Sequence, residues 1–326
     1  METAIVDARR DLQRAAAAAA EVLNRKDLVA LPTETVYGLA GDALETEALA
    51  KIFEAKERPF FDPLIIHVEN KEWLARLTRS PERANPILQT LVERFWPGPL
   101  TILFPKSDLV PHLVTAGLQQ VAIRMPRHPV FLEVLRAFGK PLAAPSANRF
   151  GRVSPTRAEH VFEELGNRIP LILDAGPTTL GLESTIVRVH LDKIEILRQG
   201  PVSEEDLAEI APTRDFTVSE KIEAPGQTAS HYAPEKPVHF LEPSAIGPNS
   251  QNDALICWGP IRHSEYFSVV RSLSESRDLR VAAQRLFTLL REVDRLDIRQ
   301  IFIEPVPEIG LGKAIMDRMR RAAALR

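Results

Sequence analysis

The chain has 326 residues, more than one ordinary hydrophobic core holds, so its length favours two domains. It is 44% hydrophobic and 26% charged with a formal net charge of −3, which argues against general electrostatic attraction to DNA or RNA but leaves room for a local basic cleft. Its single cysteine, Cys257, excludes an intrachain disulfide and a thiolate zinc cluster, and no apolar run approaches the ~18 residues of a membrane span; a cytoplasmic protein is expected.

In chain order, the alanine-rich stretch from Asp7 to Asn24 reads as a helix with a small-residue face, and Leu28 to Leu31 as the end of a buried strand. Thr33 to Ala43 is rich in hydroxyls and glycines and reads as a loop at a strand-to-helix crossover, where α/β proteins place ligands. A helix over Glu47–Ala55, a strand over Leu64–Val68 and a helix over Glu82–Phe95 follow. Leu100–Phe104, Val121–Arg124 and Leu142–Ala144 read as strands, with helices over Pro129–Phe138 and Thr156–Leu165. Leu171–Asp174, Ser184–His190 and Lys193–Arg198 complete a sheet, the last two as a hairpin about Leu191-Asp192. Prolines and glycine replace apolar periodicity over 211–236, which reads as a linker between a domain over 1–210 and a smaller α/β domain over 237–326. In the second domain Val238–Leu241, Ala254–Trp258 and Gln300–Glu304 read as strands of a mostly parallel sheet. Leu279–Arg295 and Lys313–Leu325 read as its helices.

The common nucleotide signatures are missing. Gly312-Lys313 is followed by Ala314, and Pro307 stands where a P-loop needs its first glycine. The candidate site is instead spread over several strand ends. Lys56 and Arg58, between a helix end and Pro59, suit a bound anion; their plain alternative is a solvated helix terminus, where cations favour the dipole. Arg124 ends an apolar strand, where a charge needs an anionic partner, and a structural salt bridge or a substrate carboxylate would both serve. The small residues of Ala144-Pro145-Ser146-Ala147-Asn148 let a ligand approach the backbone. Ser154, before Pro155, is equally a ligand contact or the N-cap of the next helix.

Taken together, Thr33-Glu34-Thr35-Val36-Tyr37-Gly38-Leu39, Lys56-x-Arg58, Pro63-Leu64-Ile65-Ile66-His67, Arg124-Met125-Pro126, Pro145-Ser146-Ala147-Asn148 and Ser184-Thr185-Ile186-Val187 resemble the YrdC-type domain, the core of the threonylcarbamoyl-AMP synthases. Pro225-Gly226, His231-Tyr232-Ala233-Pro234 and Gly310-Leu311-Gly312-Lys313-Ala314-Ile315 are similar to the linker and C-terminal domain of the family's long form. The resemblance implies a YrdC-like twisted mixed sheet flanked by helices, plus a smaller Rossmann-like α/β domain. It also implies synthesis of L-threonylcarbamoyl-AMP from L-threonine, bicarbonate and ATP, with Mg²⁺ brought in by ATP. A downstream threonylcarbamoyl transferase would consume the product on tRNA; no membrane or direct DNA contact is expected.

By the same resemblance Lys56 and Arg58 act on the phosphates, and Ser146, Asn148, Ser154 and Arg198 join them around ATP. Thr33, His67, Arg124, Ala144 and Ser184 enclose threonine. The Pro/Gly composition of the linker separately suggests a lid over the site, with Tyr232 reaching into it. Asp62 departs from the family pattern, which commonly has asparagine there. A double-stranded RNA-binding module without catalysis is the alternative; the acidic balance and the small-residue pocket count against it.

Overall fold

The computed structural model describes residues 2–79, 85–216, 224–226, 232–242, 246–247 and 250–324. Its elements, in chain order, are β1 (Ala4–Asp7), α1 (Leu12–Asn24), β2 (Val29–Leu31), β3 (Gly38–Asp42), α2 (Thr46–Lys56), β4 (Ile65–His67), α3 (Glu72–Leu77), α4 (Pro86–Phe95), β5 (Leu100–Pro105), α5 (His112–Thr115), β6 (Gln120–Arg124), α6 (Pro129–Phe138), β7 (Leu142–Ala143), α7 (Ala158–Leu165), β8 (Leu171–Asp174), β9 (Thr185–Val189), β10 (Ile194–Arg198), α8 (Glu204–Ala208) and β11 (Thr213–Asp215). The second unit comprises β12 (Val238–Phe240), β13 (Ala254–Cys257), β14 (Val269–Ser272), α9 (Leu279–Asp294), β15 (Ile301–Ile303) and α10 (Leu311–Ala323).

The first eleven strands form one mixed sheet, ordered β1-β8-β2-β3-β7-β4-β6-β5-β9-β10-β11. Alternation along its strands feeds two cores. Val29, Leu31 and Ala40 face α1 and α6, while Leu28, Ala30 and Leu39 face the larger cluster built on α2, α4 and α7. Four of the six alanines of α1 (Ala15, Ala16, Ala19 and Ala20) are buried, so the small face lets this helix lie close to the sheet. The second sheet is wholly parallel, ordered β12-β15-β13-β14, and packs against α9 and α10.

Several expectations need correction. Asp7 does not open the first helix: it ends edge strand β1, and α1 begins after Asp11, whose carboxylate accepts from the Arg14 amide. The expected loop over Thr33–Ala43 is half strand. Gly38–Asp42 pairs antiparallel with β2 and β7, and every residue of it is buried. Glycine at 41 serves packing there, because a Cβ would lie 3.0 Å from Leu28 and 3.2 Å from Ile52. The helix expected from Glu82 begins at Pro86, capped by Asn85; residues 80–84 lie outside those described. Ser154 caps no helix, since α7 starts at Ala158. The strand β14 and the short helices α3, α5 and α8 were not apparent from periodicity; four to six residues carry too little of it. Within the expected linker, Thr213–Asp215 extend the large sheet as β11, whereas His231 and Gln227 to Ala229 lie outside the described residues.

The two units share a core. Val36, Val153, Leu182 and Tyr232 belong to the same apolar cluster as the inner faces of α9 and α10. Polar contacts cross the same seam: Thr156 Oγ1 and Thr288 Oγ1 lie 2.9 Å apart, and Glu204 pairs with Lys313. The N-terminus of α10 has no side-chain cap of its own; Glu205 Oε1 of α8 accepts from the Gly310 amide at 3.3 Å instead.

Candidate active site

The sheet register gathers the charged residues at one end. β4 and β6 run parallel and place His67 opposite Arg124, while antiparallel β5 sets Thr101 opposite Arg124 from the other side. β9 starts at this same end, directly after Ser184, and β10 finishes there at Arg198. The β9–β10 pairing is irregular between Ile196 and Arg198, the kind of bulge that re-aims a strand-end side chain. The turn after β7 reaches the same place through the Gly38–Ser146 bridge, with the Leu39 amide donating to the Pro145 carbonyl at 2.8 Å.

These segments enclose a cavity. Of the residues expected at a site, Arg58, Ser146, Arg198, His67, Arg124, Ala144, Ser184 and Tyr232 line it. Thr33, Lys56, Asn148 and Ser154 stand behind the wall. Thr33 Oγ1 donates to the Val36 carbonyl (2.6 Å) and accepts from the Thr35 and Val36 amides, so it shapes the turn that presents Thr35. Lys56 Nζ donates to the carbonyls of Ser146 and Asn148, both at 2.5 Å. Asn148 donates to the carbonyls of Arg149 and Arg152, and its Oδ1 is buried without a partner. Ser154 Oγ donates to Glu183 Oε1 at 2.5 Å.

The arginines of the wall differ in their company. Arg58 donates to the carbonyls of Asp62 and Pro63 and lies 2.9 Å from the Asp62 carboxylate. Arg124 lies 2.8 Å from Glu34 and also donates to the Gly98 carbonyl and Thr35 Oγ1. The strand-end charge is therefore answered from within the protein. Arg198 donates to the carbonyl and hydroxyl of Ser184 (both 3.0 Å) and to the Pro225 carbonyl (3.3 Å). Among the described residues no carboxylate lies within ion-pair distance of Arg198.

Burial sets the titration behaviour. It pushes Lys56 well below the usual lysine range, with the Arg58 charge adding to the effect. Burial likewise lowers His67 to about 3, helped by Arg124, so the imidazole is neutral at physiological pH. Burial raises Asp62 against the opposing pull of Arg58. For Glu34 burial works upward, but the Arg124 charge and hydrogen bonding outweigh it and the carboxyl ends below its ordinary value.

Sequence reasoning passed over Thr35, Glu183 and Gly226. Gly226 has φ +82°, and a Cβ there would lie 2.6 Å from the Tyr232 hydroxyl and 3.3 Å from Arg198 Cδ. Tyr232 is itself buried and stacks on Phe287 of α9, ring centroids 5.5 Å apart. Among the described residues no group of three or more His, Cys, Asp or Glu side chains could hold a metal ion, and no helix is long and apolar enough to cross a membrane.

Comparison with known proteins covers both units of the chain. A family model described as "Telomere recombination", joining the Sua5, YciO and YrdC proteins, matches residues 21–200, and one described as "Threonylcarbamoyl-AMP synthase, C-terminal domain" matches 202–324. A threonylcarbamoyl-AMP synthase of Bacillus subtilis is 41% identical, over 94% of this chain and 92% of its own. The chain belongs to the threonylcarbamoyl-AMP synthase family. A synthase of Pyrococcus abyssi is 38% identical over 94% of both chains. A crystal structure of P. abyssi Sua5 complexed with L-threonine superposes with a TM-score of 0.87 at 35% identity, covering 98% of each chain. Both halves of this synthase-family chain, and not the first sheet alone, thus have counterparts in those relatives.

Proposed function

We propose that the cavity makes L-threonylcarbamoyl-AMP from L-threonine, bicarbonate and ATP. The observation that carries this reading is a buried wall of three arginines in which Arg198 alone has no carboxylate partner among the described residues. The reaction brings anions together. Condensation of the threonine amine with bicarbonate yields a carbamate and water. A carbamate oxygen then attacks the α-phosphorus, the bond to the bridging oxygen breaks, and pyrophosphate leaves. No side chain is needed as a nucleophile; what the chemistry requires is position and positive charge where two anions meet.

Arg198, Arg58, Ser146, Ser154 and Asn148 serve the nucleotide, with Asn148 Oδ1 a buried acceptor without a partner. Lys56 acts by holding the Ser146–Asn148 turn. Arg124, neutral His67, Ser184, Ala144 and the Thr33 turn serve threonine, with Tyr232 closing the wall as a lid element. Mg²⁺ would enter as a companion of the phosphates, adding positive charge there; among the described residues no cluster of three or more His, Cys, Asp or Glu side chains would hold it. In this reading residues 1–210 carry the chemistry, 211–236 bridge, and 237–326 buttress the wall. The product feeds a threonylcarbamoyl transferase acting on tRNA in the cytoplasm. Pyrophosphate release is the test, with ATP, threonine and bicarbonate omitted in turn. Release should stop with each omission, and release that persists without threonine would overturn the assignment.

A further inference from the structure

Arg318, in α10 of the second unit, has the largest wholly buried side chain among the described residues. Its partners lie largely in the first unit. Nε donates to Glu183 Oε2 at 2.9 Å, Nη2 donates to the Gln199 carbonyl at 3.0 Å, and Nη1 reaches neighbouring Asp317 at 2.5 Å. The guanidinium carbon also stands 5.0 Å from the centre of the Tyr232 ring. Burying such a cation costs more than packing an apolar side chain of similar size, so a stabilising role is a weak explanation for it.

Glu183 supplies a better one. It lines the cavity, one of its oxygens accepts from Ser154, and the other is taken by Arg318. Arg198 shares that wall and bonds Ser184, the next residue along the chain. Without Arg318 the Glu183 carboxylate would be left to draw on Arg198, which lines the same cavity and already interacts with it electrostatically, since a buried carboxylate cannot stay unpaired cheaply. We infer that Arg318 is a positioning residue for the synthase reaction: α10 holds Glu183 on its far side and so keeps Arg198 open to a substrate anion. The inference rests on the cavity being the ATP site, and it gives the second sheet a task in the chemistry of the first.

Three variants test it: Arg318→Met, Glu183→Gln and the two combined. Each is assayed for ATP KM, kcat, calorimetric ATP affinity and thermal unfolding. Arg318→Met should raise ATP KM by ~tenfold or more, with a smaller change in kcat. Adding Glu183→Gln should bring KM back to within about threefold of the Glu183→Gln single variant, because the competing carboxylate is gone while the amide oxygen still accepts from Ser154. A role confined to packing predicts no such rescue, and a double variant as weak as Arg318→Met would overturn the inference. Should Arg318→Met fail to fold, Glu183→Gln alone decides: ATP KM unchanged or lowered supports it, and a rise beyond about threefold refutes it. Absence of threonine-dependent pyrophosphate release from the unaltered enzyme would fail the proposed function instead. The ratios of ATP affinity among the variants still test Arg318.

Discussion

Lys56→Met separates two uses of a buried lysine. In the structure Nζ donates to two carbonyls at 2.5 Å each and the side chain is 1% exposed. Methionine keeps most of the stem, so little cavity forms, but both carbonyls lose their donor. Each buried acceptor left unpaired costs ~1–3 kcal/mol, partly offset by no longer burying an ammonium, so a net loss of about 3 kcal/mol is expected. For a chain of this size that corresponds to roughly 4–5 °C in the unfolding midpoint. Calorimetric melting without ligand reads it directly. If Lys56 were held for phosphate alone, removing its charge from the interior would leave the ligand-free protein unchanged or more stable, and only ATP KM would suffer. A midpoint within about 1 °C of the unaltered protein would therefore refute the strut and restore the direct phosphate contact.

Arg198→Met should raise ATP KM by roughly thirtyfold, the equivalent of ~2 kcal/mol for a charge-assisted contact; a KM within threefold of the unaltered enzyme would show that the anion sits elsewhere. Gly226→Ala places a methyl against the Tyr232 hydroxyl at a left-handed φ, and should lower kcat/KM by at least ~tenfold while costing about 1–2 kcal/mol of stability. An alanine variant of full activity would show that the Pro225–Gly226 wall yields freely. Burial, reinforced for His67 by Arg124 and for His160 by Arg291, holds both imidazoles at about 3, and the Thr156 amide donates to His160 Nδ1. Below pH ~6.5 the unfolded chain takes protons that the folded one refuses, so stability falls as pH drops. Each histidine costs about 2 kcal/mol by pH 5. His160→Gln should lose less than the unaltered protein between pH 7.5 and 5, measured as the shift in melting midpoint, and equal shifts would mean that His160 titrates normally.

Much of this was legible in the sequence because periodicity and strand-end chemistry are local. The short apolar strands, the hairpin about Leu191-Asp192 and the parallel second sheet follow from runs that need no tertiary information. Gly38–Asp42 escaped because glycine-rich strands have no propensity signal; its strand state comes from β2 on one side and β7 on the other. Lys56 is legible as a cation of this region but not as a partner of the Ser146–Asn148 turn, since only the fold reveals that those carbonyls point toward it. Glu183 stood beside Ser184 in plain view, yet its role depends on Arg318, 135 residues further on, a separation no motif spans.

The charges of the wall explain why the second unit cannot be an inert appendage. Three carboxylates and four arginines meet there. Asp62 compensates Arg58, Glu34 compensates Arg124, and Glu183 is compensated from behind by Arg318. The fixed pairs are nearly neutral and orient donors without drawing stray anions, which leaves Arg198, the wall arginine without a carboxylate partner among the described residues, to select the ligand. Removing either member of a pair changes that count by a whole charge in a buried region, where Coulombic effects are strongest. The first unit supplies three of the four arginines, Arg124 and Arg198 from strand ends and Arg58 from the turn after α2. The fourth comes from a helix whose start is fixed by Glu204 and Glu205 of α8 and whose inner face shares a core with Tyr232. The charge state of the cavity is therefore set by how the two sheets dock, and a disturbance at the Glu204–Lys313 seam should be felt at Arg198.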